Sequence, residues 1–138
     1  MGVIIGIDFG LKRTGIAVTD SEARIASPLC TLSSDKLMHW LIEYSSKNKI
    51  QLFVLGYPLS LNGEATHVTG NVVLLKEALE KQFKEVQVHL QDERYSSKRA
   101  FNAIHLVGKK KLNKDKALLD KVSAALILQD YLNERENS

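Results

Sequence analysis

Hydrophobic and polar positions alternate at the start of the chain. In VIIGIDF, residues 3–9, Ile5, Ile7 and Phe9 fall on one side and Ile4, Gly6 and Asp8 on the other. A period of two predicts a strand. The turn GLKRTG leads to a second strand near 15–19, and a third is expected around 25–31, which makes the opening an antiparallel meander. The period then lengthens. Leu37, Trp40, Leu41 and Tyr44 share one helical face, with Ser33 or Ser34 placed to cap that helix. QLFVLG, 51–56, is a short apolar strand. Val68, Val72, Leu75, Leu79 and Phe83 recur at steps of three and four and predict a helix over 65–83. VQVHLQDER, 86–94, alternates again as a strand ending in charges. Ser96 or Ser97 caps a third helix that stops near Gly108, and a last helix covers about 115–134.

The order βββ-α-β-α-β-α-α describes one α/β domain over residues 1–138. Its expected core is a mixed five-stranded sheet, an antiparallel three-strand meander plus two parallel strands, flanked by helices. If the strand at 51–56 lies parallel beside the first, the strands carrying Asp8, GYPLSLNG and DER end at one edge. Open α/β sheets place their sites at that edge.

Composition narrows the class. The 138 residues are 44% hydrophobic and 25% charged, as in a soluble globular protein. One cysteine, Cys30, excludes an internal disulfide and fits a reducing compartment. Neither a signal peptide nor a bilayer-spanning run is expected, which points to a cytoplasmic protein. A net charge of +3 does not by itself imply a nucleic-acid partner. Its distribution says more, because GKKKLNKDK gathers Lys109, Lys110, Lys111, Lys114 and Lys116 just ahead of the last helix. Such a run is commonly a solvated loop. Beside a catalytic site it becomes a phosphate-backbone contact whose affinity falls with salt.

Three acids stand in odd places. Asp8 ends an apolar strand, Glu93 sits in DER beside Asp92, and Asp120 lies in KALLDKVSAALILQDYL, a helix apolar nearly all round. Each alone has an ordinary use: a turn cap for Asp8, an ion pair for Glu93, a helix-end charge for Asp120. Together they conflict, since two carboxylates about 4 Å apart repel by about 4 kcal/mol at an effective dielectric of about 20. A divalent cation relieves the conflict, and an all-oxygen donor set suits Mg2+ or Mn2+. His39, His67, His89 and His105 are scattered and form no competing zinc pattern.

IDFGLKRTGIAV, LGYPLSLNG, DERYSS and DKVSAALILQDYL, in that order, resemble the successive motifs of the YqgF/RuvX family, a branch of the RNase H-like nucleases related to RuvC-type resolvases. The match covers nearly the whole chain. The resemblance implies an RNase H-like fold and a divalent-metal nuclease. It further implies a role in ribosome biogenesis, the maturation of the 5′ end of pre-16S ribosomal RNA, with Holliday junction resolution as the older proposal. It carries the catalytic and metal-binding acids onto Asp8, Glu93 and Asp120. Asp92 is a fourth candidate, although adjacent strand residues face opposite ways. The chain departs from the family at Tyr57, where GLP is usual, and in DERYSS, where DERxST is commoner.

Around the acids, Gly10 and Gly15 are expected to allow a tight turn and close backbone approach to a phosphate. Lys12 and Arg13 are expected to contact the scissile or a neighbouring phosphate, and Arg94 to bind phosphate or balance Glu93. Gly56 and Pro58 should set a rigid loop at the strand end. The expected substrate is structured RNA, with branched DNA as the alternative and water as the nucleophile. Two other readings stand beside it. One is a nucleotide-binding lobe like that of the actin, Hsp70 and sugar-kinase ATPases, and the other is a nucleic-acid-binding module without catalysis. The sequence leaves monomer and homodimer both open.

Overall fold

The computed structural model describes residues 2–57, 69–92 and 116–136. Five strands form one sheet: β1 (Val3–Phe9), β2 (Arg13–Thr19), β3 (Ala26–Ser33), β4 (Ile50–Tyr57) and β5 (Gln87–Asp92). Their order is β3-β2-β1-β4-β5. The first three pair antiparallel, whereas β4 runs parallel to β1 and β5 parallel to β4. The expected mixed sheet is therefore present, with β1 at its centre. Among the described residues three α-helices accompany it: α1 (Leu37–Lys47), α2 (Thr69–Gln82) and α3 (Lys116–Glu136). The helix expected over 96–108 and the first residues of the one expected over 65–83 lie outside the described residues. Among the described residues, no helix is long and apolar enough to cross a membrane.

Alternation along β1 sorts the core into two layers. Ile5 and Ile7 join Ile16, Phe53 and Leu55 on the face packed against Leu37 and Leu41 of α1 and Val72 and Leu79 of α2. Ile4, Ala17 and Val54 face the other way and meet Ala124, Ile127, Leu128 and Leu132 of α3. The second layer is thin because its helix lies almost on the strands. A Cβ on Gly6 would come 2.7 Å from the Leu128 Cβ and 3.0 Å from the Ala124 carbonyl oxygen. Such close backbone approach requires glycine.

One buried backbone group on this face has a side-chain partner. The Ile4 N–H donates to Thr19 Oγ1 at 2.9 Å, and Thr19 is only 4% exposed. Thr19→Val keeps the shape but strands that donor. We expect a loss of about 1–2 kcal/mol in stability, read as a lower denaturant midpoint with an unchanged slope.

Ser33 and Ser34 do not cap α1. Between β3 and α1 runs a single 3-10 turn, Ser34–Lys36, and neither end of it carries a side-chain cap. Ser33 Oγ donates to Asp35 Oδ1 instead, and Ser34 Oγ donates to the Gly10 carbonyl. Hydroxyls of this kind take whichever backbone or side-chain partner the fold brings closest.

Candidate active site

The carboxyl ends of β1, β4 and β5 form one edge of the sheet, and the β1–β2 turn rises from it. Asp8 is the penultimate residue of β1 and is partly exposed. In the register it stands opposite Gly15 of β2. Directly paired antiparallel residues project to the same face, so Asp8 shares the α3 face with Gly6, Ala17 and Gly15.

Gly15 brings the second acid in. It was expected at a turn, contacting phosphate, but it lies inside β2 and is buried. What approaches it is protein backbone. A Cβ at Gly15 would overlap the Asp120 carbonyl oxygen and stand 2.9 Å from the Lys121 nitrogen. The α3 backbone at Asp120 thus rests on the residue paired with Asp8, although the two acids are 112 positions apart in the chain. Thr31 Oγ1 of β3 donates to the Ala117 carbonyl at 2.5 Å and fastens the start of the same helix.

Asp120 is held from the side as well. Arg13, the first residue of β2, donates from Nε to Asp120 Oδ2 at 2.7 Å. Arg13 was expected to meet phosphate. In this structure its partner is a carboxylate, a pairing that no local pattern signals across 107 positions.

Lys12 is exposed in the turn, and that turn is clamped from below. Ser34 donates its N–H to the Lys12 carbonyl at 2.9 Å and its hydroxyl to the Gly10 carbonyl at 2.5 Å. Gly10 follows the last residue of β1, at the start of the turn. Gly56 is not in a loop: it is buried within β4, paired with Gln91 of β5, because the apolar run continues through Tyr57. Asp92 ends β5 and pairs with Tyr57. Its parity follows Leu90 and Val88, which pack in the α1/α2 layer, so it belongs to the face opposite Asp8. Glu93, Arg94, Pro58, Lys109, Lys110, Lys111 and Lys114 lie outside the described residues.

One polar side chain near this edge had no signal in the sequence. Gln91 is 5% exposed, donates from Nε2 to Glu134 at 3.0 Å and lies 3.2 Å from His89 Nε2. These contacts tie the end of β5 to α3. Cys30, a free thiol, is a poor nucleophile because desolvation pushes its pKa up, with Lys121 opposing only in part.

The donor chemistry fits a hard divalent cation. Asp8 and Asp120 are oxygen donors on one face, and a guanidinium, itself a cation, already sits against Asp120. Among the described residues these two acids are not joined by a third His, Cys, Asp or Glu.

Comparison with known proteins places this geometry in context. The family model described as "RuvX: Holliday junction resolvase" matches residues 2–134. A Flavobacterium psychrophilum protein named "Putative pre-16S rRNA nuclease" is 38% identical over 133 residues, covering 96% of this chain and 97% of the relative. A Bacteroides thetaiotaomicron protein of the same name is 38% identical over 136 residues, covering 98% and 99%. Among solved structures, Thermus thermophilus RuvC in complex with a Holliday junction substrate superposes with a TM-score of 0.61 at 15% identity, over 100% of this chain and 98% of that one. The Fowlpox virus resolvase bound to junction DNA gives 0.54 at 12% identity, over 96% and 98%. At these identities the two structures establish a shared fold.

Proposed function

Since the chain belongs to the RuvX (YqgF) family, we propose that it is a divalent-metal nuclease that hydrolyses phosphodiester bonds in the precursor of 16S ribosomal RNA, at the 5′ end, in the cytoplasm. The observation that supports the chemistry is the contact of the Asp120 backbone with Gly15, the residue paired with Asp8. The name shared by the curated relatives supports RNA as the substrate.

Asp8, Asp120 and Glu93 are the residues that hold Mg2+ or Mn2+ in this reading. The cation supplies charge neutralisation for the acids and Lewis-acid polarisation of a phosphate oxygen. Asp8, fixed in the central strand, gives a rigid first donor. Asp120 is set in position by the seat of α3 on Gly15, and Arg13 pairs with its carboxylate. Lys12, exposed on the clamped turn, contacts a flanking phosphate, and Arg94 with Lys109, Lys110, Lys111 and Lys114 extends the backbone contact. Water attacks the phosphorus. The Ser34 and Thr14 hydroxyls lie 2.8 Å apart and are committed to each other and to Gly10.

The test incubates the full chain with labelled pre-16S RNA fragments and with a four-way DNA junction, each with Mn2+ or with EDTA. We expect RNA cleavage in Mn2+ and none in EDTA. Cleavage of the junction alone assigns the chain to resolution instead, and cleavage that persists in EDTA overturns the metal mechanism.

A further inference from the structure

The contact between Arg13 and Asp120 holds a further consequence for the same site. It uses Arg13 Nε and one carboxylate oxygen, Oδ2, at 2.7 Å. Arginine–carboxylate pairs are frequently bidentate, with two parallel donors. Here a single donor is engaged, and the side chain remains 42% exposed at the edge where the β1–β2 turn presents Lys12. Asp120 is less exposed, at 21%. One positive group therefore sits on the carboxylate that the cation needs, while the two terminal nitrogens of the guanidinium are left at the surface where a phosphate would arrive.

We infer that Arg13 is a positioning residue that exchanges partners: it holds Asp120 while the cation site is empty, and turns to a substrate phosphate once Asp120 takes a divalent cation. The inference rests on the metal-nuclease reading above and deepens it. It makes cation and nucleic acid mutually reinforcing, because each binding event removes a competitor of the other. Asp120 cannot be shared equally, since a guanidinium and a divalent ion on one carboxylate repel each other. The exchange is also inexpensive. An exposed pair of this kind shifts an equilibrium by no more than about fivefold, so the cation displaces it easily.

The experiment measures Mn2+ binding by calorimetry and the binding of a labelled stem-loop RNA by fluorescence anisotropy, with and without Ca2+. It uses the full chain, Arg13→Gln, Arg13→Lys and Asp120→Asn. Arg13→Gln is expected to bind Mn2+ about threefold to fivefold more tightly in the absence of RNA, because the competing charge is gone. Its RNA affinity should match the unaltered chain without divalent ion and fall about fivefold with Ca2+ present. Arg13→Lys, which keeps the charge, should restore most of that loss. An RNA defect of equal size with and without Ca2+ overturns the exchange and makes Arg13 a constant phosphate contact. Unchanged or weaker Mn2+ binding in Arg13→Gln overturns it too, while loss of Mn2+ binding in Asp120→Asn leaves the metal site standing. If Asp120→Asn binds Mn2+ as well as the unaltered chain, the metal reading of Asp120 fails and the exchange fails with it.

Discussion

Gly15→Ala should lower the thermal midpoint by roughly 10 °C and abolish most activity in the molecules that still fold. The added methyl would overlap the Asp120 carbonyl oxygen and press on the Lys121 nitrogen at 2.9 Å. Both are backbone atoms of a helix, so no rotamer change relieves them. The helix must lift, and lifting pulls Ala124 and Leu128 away from Ile4, Ala17 and Gly6, and Ala117 away from Thr31. Overpacking of this kind costs about 3 kcal/mol, a large share of the roughly 5–15 kcal/mol that holds a domain together. At about 3–5 °C per kcal/mol for a chain of this size, the midpoint shift follows. Gly70→Ala is the control. It lies in α2 with nothing within 4 Å of its would-be Cβ, and alanine there should be neutral or slightly stabilising. Thermal unfolding followed by circular dichroism decides between them, and equal midpoints for the two variants would show that α3 is not seated on Gly15.

Asp8→Asn should cut hydrolysis by about 100-fold or more while the fold survives. Asparagine keeps the size and one oxygen but loses the charge that a divalent ion needs. The residue is partly exposed at the end of its strand, so the midpoint should stay within a few degrees. Asp92→Asn is the instructive companion. Register places Asp92 on the α1/α2 face, and its removal should leave cleavage within about twofold, as for an ordinary surface change. Glu93→Gln should behave like Asp8→Asn. Single-turnover cleavage of pre-16S RNA in Mn2+ separates the cases. A fully active Asp8→Asn would remove the acids from the chemistry.

Much of the architecture can be read from the chain because two simple periods govern it. The alternation in VIIGIDF and the short apolar run at 51–56 are enough to predict a central parallel pair with a meander beside it. The observed order β3-β2-β1-β4-β5 is that sheet. Small polar and small apolar residues were harder to read. Ser33 and Ser34 suit a helix cap by type, yet their hydroxyls found Asp35 and Gly10, which only the folded turn brings near. Gly15 announces a close approach without saying what approaches, and the answer is a helix more than 100 residues downstream. Gly56 looks like loop punctuation beside Pro58, but the register carries β4 past it to Tyr57. The Arg13–Asp120 pair has no local signature at all, since it depends on how a distant helix lands. Acids could be nominated from their odd positions. Their partners could not.

That landing has a bearing on the order in which the fold closes. Ribosomes deliver a chain from its amino end, and β1 to β5 emerge well before Lys116–Glu136. Until Lys116–Glu136 settles onto Gly6 and Gly15, the face of β1 that carries Asp8 has no helix backbone laid against it. That face of the sheet is therefore covered after the strands have formed, with the docking of one helix.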